Sequence, residues 1–250
     1  AKEANLPVGE ASYVAERNNY SITIPVTDPA QRDAVLEAIK AYQVDLVVMS
    51  TRGESVSIGV NLSRRLGKVA QAVIERSPAP VLLLPLHYRE VLPWTSMLVA
   101  DSGDAAANQA LETAACLASA LRLKISVLHA EGGSGPVCAM PFGAYADAAH
   151  HEYARRMQGM LEGGLATCGT EECQAVSHLF LRHGDPADLL LEQISQQASN
   201  VLALGWHGTL DSGRALVFKR LLEQASCALL LVRRIERPMV RLRVGAEIGG

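Results

Sequence analysis

Asn200-Val201-Leu202-Ala203-Leu204-Gly205-Trp206-His207-Gly208 runs from a short apolar segment straight into a glycine-bracketed turn. The apolar part has the length and composition of a strand buried on both faces. Polar residues follow the turn, and then an apolar pattern at helical spacing. Glycine at a strand-to-helix turn permits backbone angles that a Cβ forbids. It also lets a phosphate approach main-chain N–H groups, and the helix that follows adds a favourable N-terminal dipole. A weaker copy of the same stretch lies earlier, at Asp45-Leu46-Val47-Val48-Met49-Ser50-Thr51-Arg52-Gly53. A strand-end glycine turn that occurs twice points to a repeated nucleotide-fold unit.

Extending both segments makes the repeat explicit. Asp28-Pro29-Ala30 precedes one and Asp185-Pro186-Ala187 the other. Each reads as a helix start, with Asp as N-cap and Pro at the first helical position. Leu36 and Ile39, and likewise Leu189, Leu190 and Ile194, continue on helical spacing. After each turn come a helix and a terminal apolar strand, Pro80–Leu84 in one copy and Ala228–Val232 in the other. The shared order is strand, helix, strand, helix, strand, which implies a parallel sheet with right-handed crossovers.

The second copy has more in front. Met97–Ala100 reads as a buried strand ending in Asp101-Ser102-Gly103-Asp104, with Asp104 placed to cap the next helix. Ile125–Ala130 is a second strand, 131–143 a Gly/Pro-rich loop, roughly 144–165 a helix, and Val176–Leu181 a third strand. The expected architecture is therefore α/β: a doubly wound five-stranded parallel sheet sandwiched by helices, in two tandem copies. Residues 1–85 form an N-terminally incomplete copy, 86–96 a linker, 97–233 a complete copy and 234–250 a C-terminal tail. The short front of the first copy predicts further residues before Ala1. An intact mass near 26.7 kDa would overturn that expectation.

Composition agrees with this class. Hydrophobic residues make up 49% of the 250, but aromatics only 4%, so aliphatic side chains must fill the core. Net charge is −3 and the pI about 6.2, which leaves no electrostatic footprint for nucleic acid. No apolar run approaches the ~20 residues of a membrane-spanning helix. Five cysteines, an odd number with no C-x-x-C pair, argue against a disulfide framework and fit a reducing cytoplasm.

The constellation resembles the universal stress protein family in its tandem form. The resemblance covers about 20–85 and 97–233. Its markers are Val99-Ala100-Asp101-Ser102, Val127-Leu128-His129-Ala130, Gly184-Asp185-Pro186-Ala187 and Leu204-Gly205-Trp206-His207-Gly208, with Asp45–Gly53 and Ser77–Leu82 in the first copy. It implies a dimer or an internal pairing of the two halves. In ATP-binding members the phosphate motif looks like G-x-x-G, about nine residues, then G-[ST], in which small residues expose backbone amides. Carried over, Asp101 would meet the adenosine portion, Val99, Ala130 and Leu204 would form walls, and Gly205 and Gly208 would supply the first glycine pair.

The remainder departs from that pattern. Ala215-Leu216 stands in the place of G-[ST], only six residues after Gly208. Gly213 lies in the shortened loop, with Arg214 beside it as an alternative phosphate contact. In the first copy Ser50 replaces the first glycine, and Gly67-Lys68 ends a loop of thirteen residues after Gly53. Neither copy carries an intact motif.

Other candidates are weaker. His150-His151-Glu152 lacks the second histidine of H-E-x-x-H, so no metal is expected. His129 ends a strand at the expected cleft and reads as a structural or wall residue. No G-x-S-x-G elbow or Walker A lysine occurs. Arginines alternating with Val240, Leu242 and Val244 suggest a charged edge or a partner-binding strand. The expected function is a non-catalytic stress-response regulator acting through protein contacts, with a degenerate nucleotide cleft. The alternative is an ATP- or AMP-binding regulator with its ligand in the second copy and slow hydrolysis, and a third is another adenosine-nucleotide enzyme on the same fold.

Overall fold

The computed structural model describes residues 12–16, 19–23, 32–51, 66–85, 88, 93–131, 138–141, 159, 161–166, 168–210 and 215–234. In the first copy these form strands β1 (Ser12–Glu16), β2 (Asn19–Thr23), β3 (Val47–Ser50) and β4 (Val81–Leu84), with helices α1 (Arg32–Ala41) and α2 (Lys68–Arg76). The second copy supplies β5 (Ser96–Asp101), α3 (Ala105–Leu121), β6 (Lys124–Glu131), β7 (Cys138–Pro141) and α4 (Thr170–Ala175). It ends with β8 (Val176–His183), α5 (Pro186–Gln197), β9 (Val201–Trp206), α6 (Leu216–Gln224) and β10 (Ala228–Arg233).

One eight-stranded sheet runs β3-β4-β10-β9-β5-β6-β8-β7. The five strands β10, β9, β5, β6 and β8 are mutually parallel and make the doubly wound unit that the apolar runs predict. β7 closes its outer edge in antiparallel fashion, an addition inside the expected 131–143 loop. At the other edge β4 pairs antiparallel with β10, Leu82 opposite Leu230, and β3 follows parallel to β4. The terminal strands of the two copies thus join within one chain.

The first copy keeps the expected order of strand, helix, strand, helix, strand (β2, α1, β3, α2, β4), but its leading strand departs from the expected parallel sheet. β2 pairs antiparallel with β1 in a separate two-stranded sheet rather than entering the large one. The Asp28 cap and the C-terminal arginine strand lie outside the described residues.

Alternation along each strand divides the core into two layers. Met97, Val99, Ile125, Val127, Val201, Ala203 and Leu230 face α3. The alanine-rich face of that helix, Ala107, Ala110, Ala114, Ala115 and Ala118, lets it lie close to the sheet. Leu98, Leu128, Leu202, Leu204, Leu229 and Leu231 face the opposite layer, where Ile194, Phe218 and Leu221 of the second copy meet Leu36, Ile39, Val73 and Ile74 of the first. In the described part of the first copy Val48 is 58% exposed, on the face of β3 turned away from that shared layer.

Candidate functional site

Parallel strands leave a crevice at their carboxyl ends where the winding direction changes. Here that point lies between β5 and β9, because β6 flanks β5 on its other side. A cavity of about 480 Å³ opens there, lined by Ala100, Asp101 and Ser102 from β5 and its turn, Leu128 and Ala130 from β6, Leu204, Gly205 and Trp206 from β9, and Ala215, Val217 and Phe218 at the start of α6. Its size falls within the roughly 300–1,000 Å³ usual for small-molecule sites. Leu190 and Pro186 of α5 add apolar wall, and His207 and Asp104 stand at the polar side.

Two acidic groups organise that polar side. Asp101, 8% exposed, accepts the Gly103 N–H on one oxygen at 3.0 Å, while its other oxygen lies 3.0 Å from His129 Nδ1. The hydrogen bond to Asp101 raises the His129 pKa above 6.5, outweighing the burial that opposes its charge. Asp104 caps α3 by accepting the Ala106 and Ala107 N–H groups at 2.8 and 2.9 Å, and the Ser102 hydroxyl donates to its second oxygen at 2.9 Å. Burial works against its charge, but the Ala107, Ser102 and Ala106 hydrogen bonds and the nearby His207 together hold its pKa below 3.8. His207 Nε2 is 3.3 Å from that carboxylate.

The expected site residues meet unequal fates. Asp101, Ala130, Leu204 and Gly205 line the cavity. Val99 does not: it is fully buried in the α3 layer, because alternation turns it away from the side that Ala100 presents. His129 is turned from the cavity for the same reason, its neighbours Leu128 and Ala130 lining the cavity instead. Gly213 and Arg214 lie outside the described residues.

Gly208 adopts a φ of 83° and packs on Arg233, where a Cβ would stand 3.0 Å from the guanidinium carbon. It serves the turn and does not line the cavity. Gly205 has a different duty. A Cβ on it would lie 2.6 Å from the Ala107 nitrogen and 2.7 Å from the Ala106 carbonyl carbon, so its hydrogen admits the α3 N-terminus against β9.

Ala215, in the place of the second glycine, adopts the left-handed conformation, φ 55° and ψ 32°, that a glycine accepts without strain. Its side chain makes no capping bond to the first turn of α6. That helix end therefore keeps the backbone amides of an anion site but lacks the hydroxyl donor.

Sequence reasoning missed Trp206 and Phe218. Their rings are 5.0 Å apart, tilted at 55°, and both line the cavity. The Trp206 indole N–H donates to the Ile74 carbonyl of α2 at 2.8 Å. Arg233 reaches the next carbonyl, Glu75, at 2.7 Å. The signal was a tryptophan inside the glycine turn, too large for a mere phosphate loop. Among the described residues no group of three His, Cys, Asp or Glu side chains is placed to hold a metal ion, and no helix is long and apolar enough to cross a membrane.

The family model described as the Universal stress protein family matches residues 3–85 and 93–233. Among solved structures, a universal stress protein from Archaeoglobus fulgidus DSM 4304 is 17% identical, covers 80% of this chain and 67% of its own, and superposes with a TM-score of 0.54. A protein of the same designation from Pseudomonas aeruginosa UCBPP-PA14 is 13% identical over 81% of this chain and 68% of its own, at a TM-score of 0.51. A family protein from Arabidopsis thaliana with AMP bound matches 57% of this chain and 93% of its own at 16% identity and a TM-score of 0.35. No curated protein sequence matches significantly.

Proposed function

Because the chain belongs to the universal stress protein family, with two tandem matches, we propose that it is a non-catalytic stress-response regulator whose second copy takes the adenosine part of a nucleotide. The observation that carries this reading is the cavity of about 480 Å³ at the β5/β9 switch point, with apolar walls and Asp101 at its rim. Leu128, Leu190 and Leu204 suit a purine face, and Asp101 suits a ribose hydroxyl. The phosphate side is reduced. Gly208 is engaged with Arg233, and Ala215-Leu216 brings no hydroxyl to the α6 N-terminus. This favours adenosine or AMP over ATP.

The regulatory part of the reading rests on edges. Among the described residues β3 and β7 end the large sheet, and end strands are the places where a partner or a second copy of the chain can pair. A cytoplasmic location belongs to the same proposal, on the cysteine usage described above. A second reading, an ATP-binding regulator, is favoured by the first turn of α6, to which the N-cap residue Ala215 brings no side-chain acceptor.

A thermal-shift titration with adenosine, AMP and ATP, each with and without magnesium, separates these readings. Ligand at 100 times its dissociation constant stabilises by about 2.7 kcal/mol. The expected result is a shift with adenosine and AMP that ATP does not exceed. No shift with any of the three at millimolar concentration overturns the cleft, and a magnesium-dependent preference for ATP selects the second reading.

A further inference from the structure

We propose that Trp206 couples occupancy of the second-copy cavity to the docking of the first copy, so that each copy regulates the other through one indole ring. The proposal rests on the cleft reading above and adds a regulator to it. Trp206 has two separate attachments. Its ring, 6% exposed, forms cavity wall beside Phe218. Its N–H ends on the Ile74 carbonyl of α2, 132 residues away in sequence.

The last carbonyls of a helix have no partner within it. In α2 the Val73 carbonyl is taken by the Ser77 N–H, but Ile74 and Glu75 are completed from the other copy, by Trp206 and Arg233. The C-terminal end of α2 is thus capped by the end of β9 and the end of β10. An indole has only two side-chain torsions, so fixing its N–H also fixes the ring plane that the cavity presents. Rotating the ring into the cavity breaks the bond and leaves a buried N–H and a helix carbonyl unsatisfied. In the observed rotamer the indole is bonded to Ile74 and the cavity is open. A ligand that fills the cavity therefore favours the docked α2, and docking favours the ligand in equal measure.

Hydrogen exchange of the α2 amides, read with and without AMP, tests this on the full chain, with calorimetry measuring AMP and adenosine binding in parallel. AMP should slow exchange across 68–76 in the wild type. Trp206→Phe keeps an aromatic ring and removes the donor, so at saturating AMP it should lose the slowing, with AMP affinity reduced to match. Arg233→Gln, outside the cavity, should weaken AMP binding about fivefold by loosening α2, and it provides an independent arm if Trp206→Phe fails to fold. Binding with unchanged α2 exchange, slowing that persists in Trp206→Phe, or unchanged affinity in Arg233→Gln each overturns the coupling and leaves the cleft intact. Absence of binding by both AMP and adenosine overturns the cleft reading, and the coupling with it.

Discussion

A side-chain carbon on Gly205 would stand 2.6 Å from the amide nitrogen of Ala107. That nitrogen is already engaged, donating to Asp104 at 2.9 Å. Gly205→Ala must therefore push β9 and the α3 N-terminus apart, with an overpacking cost of about 1–3 kcal/mol. Gly208→Ala meets only the far end of the Arg233 side chain, together with a left-handed backbone cost of about 1–2 kcal/mol. Urea denaturation of both variants should rank Gly205→Ala as the more damaging. It should also depress AMP binding more, since Gly205 lines the cavity. The opposite ranking would return the principal role to Gly208.

Ala215→Gly should stabilise the protein by up to about 1 kcal/mol, because φ 55° strains alanine and suits glycine. Part of the gain is offset by the greater freedom of glycine in the unfolded chain. A lowered midpoint in thermal or urea unfolding would refute the left-handed geometry at this position.

Asp104→Ala removes the α3 cap and should cost about 1 kcal/mol near neutral pH. The folded pKa is lowered, so this stability is present above the unfolded value of 3.8 and is lost as pH falls through the lower folded value. The gap between wild type and variant should narrow in acid. A constant gap down to pH 2 would count against the assignment.

His129 carries the opposite sign. Its pKa is raised by Asp101, so the stabilisation is complete below the unfolded value of 6.5 and fades as pH rises through the folded one. Asp101→Asn retains an acceptor for the Gly103 N–H but removes the charge. NMR titration should show the His129 pKa falling in this variant. The wild-type stability advantage should be larger at pH 6 than at pH 9. An unmoved His129 titration would show that the pair at 3.0 Å is not an electrostatic one.

The parts of the fold that local chemistry dictates were legible in the chain. Asp185 with Pro186 starts α5, and the Asp185 carboxylate accepts the Asp188 N–H at 3.0 Å, as the Asp-Pro pattern predicts. The apolar runs at 97–100 and 201–204 likewise mark the central strands, and every residue in them except the cavity-lining Ala100 is buried. The site was less legible because its geometry depends on which way a strand residue points. Val99 and Ala100 are neighbours of similar character, and only the register of β5 between β6 and β9 decides which one meets the cavity. Trp206 was opaque for a related reason: its partner, Ile74, is brought to it by the pairing of β4 with β10. β2 shows the limit of repeat reasoning, since its pairing with β1 follows from register and not from position in the repeat.

The antiparallel junction of Leu82 with Leu230 also has a consequence for cooperativity. Leu82 packs in the α3 layer of the second copy, while Val73, Ile74, Val81 and Leu83 share the other layer with Phe218, Leu221 and Leu231. Neither copy owns a complete interior. The two repeats should therefore melt as one unit, with calorimetric and van't Hoff enthalpies in agreement, and the boundary visible in the sequence repeat is not a boundary between foldons.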